Sequence, residues 1–185
     1  MNKPGLLLHT CCGPCATVCL ERLLPDYEVV LLWYNPNLQP KEEYERRLEA
    51  AREVAGHFDV GMVLLPEEER AWRRAVSAAP DCTEQPEGGT RCLMCLRFRI
   101  ARAAQEAEQR GFPFFDTTLS VSPHKDLRVI RGALRQEVEE RDYALNYPHQ
   151  DYRGNGGFQR SLELSKELRL YRQNYCGCLP SKREE

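Results

Sequence analysis

Gly5-Leu6-Leu7-Leu8-His9-Thr10-Cys11-Cys12-Gly13-Pro14-Cys15 joins an apolar run to a cluster of thiols. The leucines predict a buried strand, and the Gly-Pro pair marks its end. His9 on such a strand reads first as a satisfied core histidine and only second as a ligand. Outward from here, strand and helix signals alternate. Residues 16–24 suit a helix stopped by Pro25, and 28–34 form a β-branched and aromatic strand closed by Asn35-Pro36-Asn37. Strong helix formers fill 41–55, a third strand spans 60–65, and a further helix covers 67–78. A βαβαβ start of this kind predicts a parallel sheet with right-handed crossovers.

The middle of the chain breaks the rhythm. Pro80, Pro86, Gly88 and Gly89 make 79–90 a loop. A long helix is expected over 91–110, a fourth strand over 114–119, a turn over 120–125 with Ser122-Pro123 as a helix start, and a helix over 126–141. Residues 143–157 read as loop, and 161–170 as a helix with Ser161 or its neighbours as its cap. No internal repeat or linker divides the chain. The expected fold is one α/β domain over residues 1–185, with a mostly parallel, Rossmann-like (HUP-type) sheet flanked by helices. The metal site is expected at the C-terminal end of the strands, where such sheets place their ligands.

The composition fits an ordinary soluble protein: 185 residues, 42% hydrophobic, 29% charged. No apolar run reaches the ~18 residues of a membrane span, and the first residues lack the pattern of a signal peptide. A cytoplasmic location is therefore expected. A net charge of −2 gives no general affinity for nucleic acid, although a local basic face would suffice.

Nine cysteines are many for such a chain. Disulfides are a poor explanation in a reducing compartment, and an odd count leaves one thiol unpaired. Seven thiols fall into three clusters: Cys11, Cys12 and Cys15; Cys92 and Cys95; Cys176 and Cys178. Cys92 and Cys95 lie three apart at a helix start, so they share one side of its first turn. A helix N-terminus favours thiolates and anionic groups. Gly177 permits the tight backbone between the last two thiols. Seven exceed what one four-coordinate ion uses. A four-iron cluster takes four cysteines and leaves about three for a second metal or a redox pair. Asp151 is a candidate to complete a second site. Taken alone, Cys92 and Cys95 suit structural zinc or a thioredoxin-like dithiol equally well. Cys19 reads as a small buried hydrophobe, and Cys82, in the loop, is left unassigned.

Several segments in order resemble the QueH family of epoxyqueuosine reductases. They are His9 to Cys15, Tyr34-Asn35-Pro36-Asn37, Glu42-Glu43-Tyr44-Glu45-Arg46-Arg47, Glu87 to Cys95, Thr117 to Pro123, and Tyr171 to Cys178. The resemblance implies cobalamin-independent reduction of epoxyqueuosine to queuosine at the wobble position of tRNA. It implies a [4Fe-4S] cluster beside a mononuclear iron, with Lewis acidity for the epoxide oxygen supplied by the latter. In that reading Cys11, Cys92, Cys95 and one of the last pair, Cys176, hold the cluster. Cys12, Cys178 and Asp151 serve the single ion as the catalytic set, and Cys15 can replace any of these. The electron donor is expected to be of ferredoxin or flavodoxin type.

Arginines and lysines near the cysteines are candidates for phosphate contact: Arg91, Arg97, Arg99 and Arg102; Lys125, Arg128, Arg131 and Arg135; Arg153, Arg160, Arg169, Arg172, Lys182 and Arg183. Interleaved glutamates equally suit a plain solvated face. Tyr34, Tyr152, Tyr171 and Tyr175 are candidates to stack a flipped base. Two other readings compete. One is an iron–sulfur tRNA sulfurtransferase-like enzyme, disfavoured because the loop after the first strand has one glycine and makes a poor phosphate cradle. The other is a non-catalytic zinc-binding module.

Overall fold

The computed structural model describes residues 3–79, 87–148 and 151–182. Cys82 and Arg183 lie outside the described residues. Four strands form one sheet: β1 (Gly5–Thr10), β2 (Glu28–Trp33), β3 (Gly61–Leu64) and β4 (Phe114–Thr117). Their order is β3-β2-β1-β4, and every pair is parallel. The order reverses between β1 and β4, which makes the gap beyond their C-terminal ends the natural crevice of the sheet.

Six helices flank the sheet: α1 (Gly13–Leu23), α2 (Lys41–His57), α3 (Glu69–Ser77), α4 (Thr90–Gln109), α5 (Leu127–Arg141) and α6 (Gly157–Glu167). Strand β1 shows why the leucine run is continuous. Leu7 joins one core with Ile100, Ala103 and Ala104 of α4 and Ala133 and Leu134 of α5. Leu6 and Leu8 join the opposite core with Ala16, Val18 and Leu20 of α1 and Val54 of α2. A strand covered on both faces needs apolar residues at every position. No helix among the described residues is long and apolar enough to cross a membrane.

Four element boundaries differ from the sequence expectation in instructive ways. Helix α1 starts at Gly13, because Cys12 is extended and Pro14 sits at the first turn, where its fixed φ suits a helix. A Cβ on Gly13 would lie 2.4 Å from the Ala50 carbonyl oxygen, so only glycine lets α1 pass α2 here. Strand β4 stops at Thr117, whose hydroxyl accepts from the Leu119 N–H and turns Thr118–Val121 into a 3-10 helix. Helix α5 starts after Asp126, whose carboxylate accepts from Arg128 N–H at 2.8 Å, while Ser122-Pro123 stays in the preceding turn. Ser161 is no cap. It lies inside α6 with its hydroxyl bonded back to the Phe158 carbonyl at 2.6 Å, and Gly156, at φ 74, opens the helix.

The segment before α6 is tied to the sheet by one buried pair. Tyr152 donates its hydroxyl to Asp116 Oδ2 at 2.8 Å, and Thr117 N–H donates to Asp116 Oδ1 at 2.7 Å. Burial outweighs both bonds and raises the Asp116 carboxyl to about 7. A carboxyl raised above its unfolded value favours the folded state most when protonated, so its contribution falls as pH rises from the unfolded pKa through the folded one. The Asp116→Asn variant is therefore expected to gain stability relative to the parent as pH rises from about 4 to about 7, with no further change above that. Denaturant midpoints across that range measure it.

Candidate metal centre

The crevice between β1 and β4 gathers all three cysteine clusters. Cys11 and Cys12 follow β1, and Cys15 sits in the first turn of α1. The three sulfurs lie within 4.8 Å of one another. Cys92 and Cys95 occupy the first turns of α4. With Cys176, Cys178, Arg99, Lys125 and Trp72 they line a cavity of about 390 Å³. A neighbouring cavity of about 350 Å³ is lined by Cys11, Cys15, Cys176, Arg99, Lys125 and Gln173. Cys176, Arg99 and Lys125 thus face both.

Each cluster is held by residues from elsewhere in the chain. Thr118, just past β4, accepts from the Cys11 N–H at 3.0 Å and donates its hydroxyl to Cys11 Sγ at 3.3 Å. Asn35 donates to the Thr10 carbonyl at 2.9 Å and accepts from Arg99 at 2.6 Å, linking the end of β1 to α4. The last pair is placed by α2. Arg47, ion-paired to Glu43 at 2.6 Å, donates to the carbonyls of Cys176 (3.0 Å) and Tyr175 (3.1 Å). Glu43 accepts from the Tyr171 hydroxyl at 2.6 Å, and Gln39 N–H donates to the Gly177 carbonyl at 2.8 Å. Gly177 has φ 135, and a Cβ there would meet Leu38 at 2.5 Å. Both facts require glycine.

The sulfurs sit among donors. Gln173 Nε2 approaches Cys12 Sγ at 3.0 Å, and Lys125 Nζ approaches Cys176 Sγ at 2.9 Å while pairing with Glu87 at 2.8 Å. An amide or ammonium nitrogen can only donate, so these sulfurs are acceptors. Hydrogen bonds from Cys12 and Cys15 hold the Cys11 thiol well below its usual range, with Arg99 and Thr118 adding to the effect. In return the contact with Cys11, together with burial, pushes Cys12 up to about 12. Burial raises Cys95 to about 11, opposed by Arg99. Burial likewise raises Cys176, opposed by Lys125.

Arg99 decides what this arrangement suits. It is 3% exposed, and no carboxylate among the described residues pairs with it. Its Nε has no hydrogen-bond partner among them. A buried cation needs a compensating anion. Here the groups around it are the thiols of Cys11, Cys95 and Cys176. A metal bound through several thiolates carries net negative charge and fits this setting. The N-terminal turns of α1 and α4 add positive dipole ends on the same side.

The other expected residues fall as follows. Asp151 accepts from the N–H groups of Arg153 and Gly154, both at 3.2 Å, and is not in the three-thiol group. Cys19 is fully buried in the core beside α1. His9 is fully engaged: Nε2 donates to the Tyr34 carbonyl at 3.2 Å, so Nδ1 accepts from Thr117 at 2.8 Å. Burial, with Arg99, lowers it to about 3, so it is a neutral core histidine. Arg91 and Arg99 are buried and do not reach a phosphate backbone, and Tyr34 and Tyr152 are core residues unsuited to stacking a base. Trp72, Lys125 and Gln173 escaped the sequence reading as parts of the site. Only Arg99 carried a signal: it follows Cys92 by seven residues and Cys95 by four, the spacing of one helix face.

Anaerobic titration with Co2+ is expected to produce a thiolate-to-metal absorption band. Cys19→Ser should leave the band unchanged. Gln173→Leu, which removes the donor to Cys12, should weaken binding roughly tenfold.

Comparison with known proteins gives the family. The family described as "Epoxyqueuosine reductase QueH" matches residues 6–184. A protein of that name from Thermotoga maritima is 40% identical over 177 residues, covering 94% of this chain and 88% of the relative. The Streptococcus pyogenes protein of that name is 35% identical over 182 residues, covering 96% and 70%. The Haemophilus influenzae one is 36% identical over 180 residues, covering 97% and 72%. The chain belongs to the QueH family of epoxyqueuosine reductases.

Proposed function

We propose that the chain, as one domain over residues 1–185, reduces epoxyqueuosine to queuosine at the wobble position of tRNA without cobalamin. This would be the last step of queuosine biosynthesis, carried out in the cytoplasm. The observation that carries the reading is that six thiols line two cavities sharing the buried Arg99, with Cys12 grouped beside Cys11 and Cys15, in a member of this family. The reaction takes two electrons and two protons. Both C–O bonds of the epoxide break, the oxygen leaves as water, and the ring carbons form a double bond. A [4Fe-4S] cluster and an adjacent iron, when bound, would supply single-electron transfer and a Lewis acid for the oxygen.

In this reading Cys11, Cys92, Cys95 and one of Cys176 and Cys178 hold the cluster. Cys176 is the better supported of the pair because it faces both cavities. Cys12 and Cys178 then serve the single ion. Asp151 would have to leave its own turn to join them, whereas Cys15 already stands in the three-thiol group. Arg172, stacked over Phe158 at 5.6 Å, lines the cavity that reaches Cys11 and offers a flat cationic face to a flipped base. Exposed Arg128, Arg131, Arg169 and Arg172 suit contact with phosphates. A ferredoxin or flavodoxin type of carrier suits the one-electron steps.

The test is anaerobic reconstitution with iron and sulfide, then incubation with epoxyqueuosine-containing tRNA and a chemical reductant. Queuosine is expected in the nucleoside digest without cobalamin or ATP. A colourless protein holding stoichiometric zinc, or a strict need for ATP, would overturn the reading. In Mössbauer spectra, Cys92→Ser is expected to lose the four-iron signal; retention of the full signal would rule out this ligand set.

A further inference from the structure

Two N–H groups of the thiol-lined cavity stand without partners. Arg99 Nε and Trp72 Nε1 are both buried and make no hydrogen bond to any described residue. Trp72 is 4% exposed and packs with Val76 and Cys178, alongside Cys95 and Met94. The Cys95 side chain packs against the same cluster as the indole. Trp72 and Arg99 line the same cavity as Cys92, Cys95, Cys176 and Cys178. Leaving two buried donors unsatisfied is unfavourable, and a sulfur-rich anion in the cavity would relieve it.

We propose that Trp72 and Arg99 set the reduction potential of the metal centre by aiming two N–H donors and one uncompensated cationic charge at its sulfurs. The inference rests on the metal-centre reading above. Adding an electron makes a thiolate-ligated centre more negative. Donors and a cation fixed in a dry cavity stabilise that reduced state more than the oxidised one, and so raise the potential. Trp72 contributes a neutral donor alone; Arg99 contributes a donor and a charge. Both are positioning residues, and neither donates an electron.

Redox-poised EPR titration of the reconstituted protein tests this. Trp72→Phe keeps the ring and removes the N–H. It is expected to bind iron as the parent does and to shift the reduction equilibrium toward the oxidised state about tenfold, ~59 mV for a one-electron couple. Arg99→Lys keeps the charge and should shift it less than Arg99→Gln. If Arg99→Gln takes up no iron, Trp72→Phe and Arg99→Lys still decide the matter. Loaded variants with the parent potential would overturn the inference and leave the metal centre standing. A parent protein that takes up no iron would overturn both.

Discussion

A guanidinium shut away from water, with no carboxylate among the described residues paired to it, is the constraint around which this protein is arranged. Arg99 lies on α4 and lines both cavities, and it donates to the Asn35 side chain at 2.6 Å. Burying an uncompensated charge is among the most unfavourable steps in folding. Held as thiolates by a metal, the cysteines of three distant segments would supply the missing anionic character. Cys11, Cys95 and Cys176 all feel the field of Arg99. The cation favours their thiolate forms, and their thiolates make the buried cation tolerable.

The fold meets this demand with ordinary devices. A parallel sheet whose strand order reverses between β1 and β4 opens a crevice at one edge. The Thr118 hydroxyl ties the two sides of that crevice together at Cys11. The starts of α1 and α4 point their N-terminal turns toward it. The chain's end is a different problem, because Tyr171 to Cys178 forms no helix or strand. It is fastened instead by Arg47 and Glu43, a nearly dry ion pair on α2. An Arg47 truncation would leave Glu43 buried and unpaired and release the carbonyls of Tyr175 and Cys176, so the clamp matters more than a surface bridge.

The motif segments without cysteine acquire physical meaning from these contacts. The Asn35 segment connects the end of β1 to Arg99. The Glu42–Arg47 segment holds the tail. The Thr117–Pro123 segment supplies the hydroxyl beside Cys11 and the turn that carries Lys125 toward Cys176. None of these roles follows from residue type. Glutamate and arginine four apart on a helix read as a surface pair, and Glu43 and Arg47 became a buried clamp only because the tail covers them.

The sequence alone determined the α/β class, the parallel sheet and the three groups of thiols. Those are local or periodic properties: an uninterrupted leucine run marks a strand buried on both faces, and cysteines three apart at a helix start share a side. It also set Cys19 apart from the working thiols, because it lies outside the three clusters and among the apolar residues of α1, and the structure buries it in the core. Tertiary structure alone decided which arginines are buried, that Tyr34 and Tyr152 are core, that Asp151 stays in its own turn, and that Trp72, Gln173 and Lys125 attend the sulfurs. Partners separated by dozens of residues carry no spacing signal. Burial of a charge depends on what packs over it, and that is known only once the chain has closed on itself.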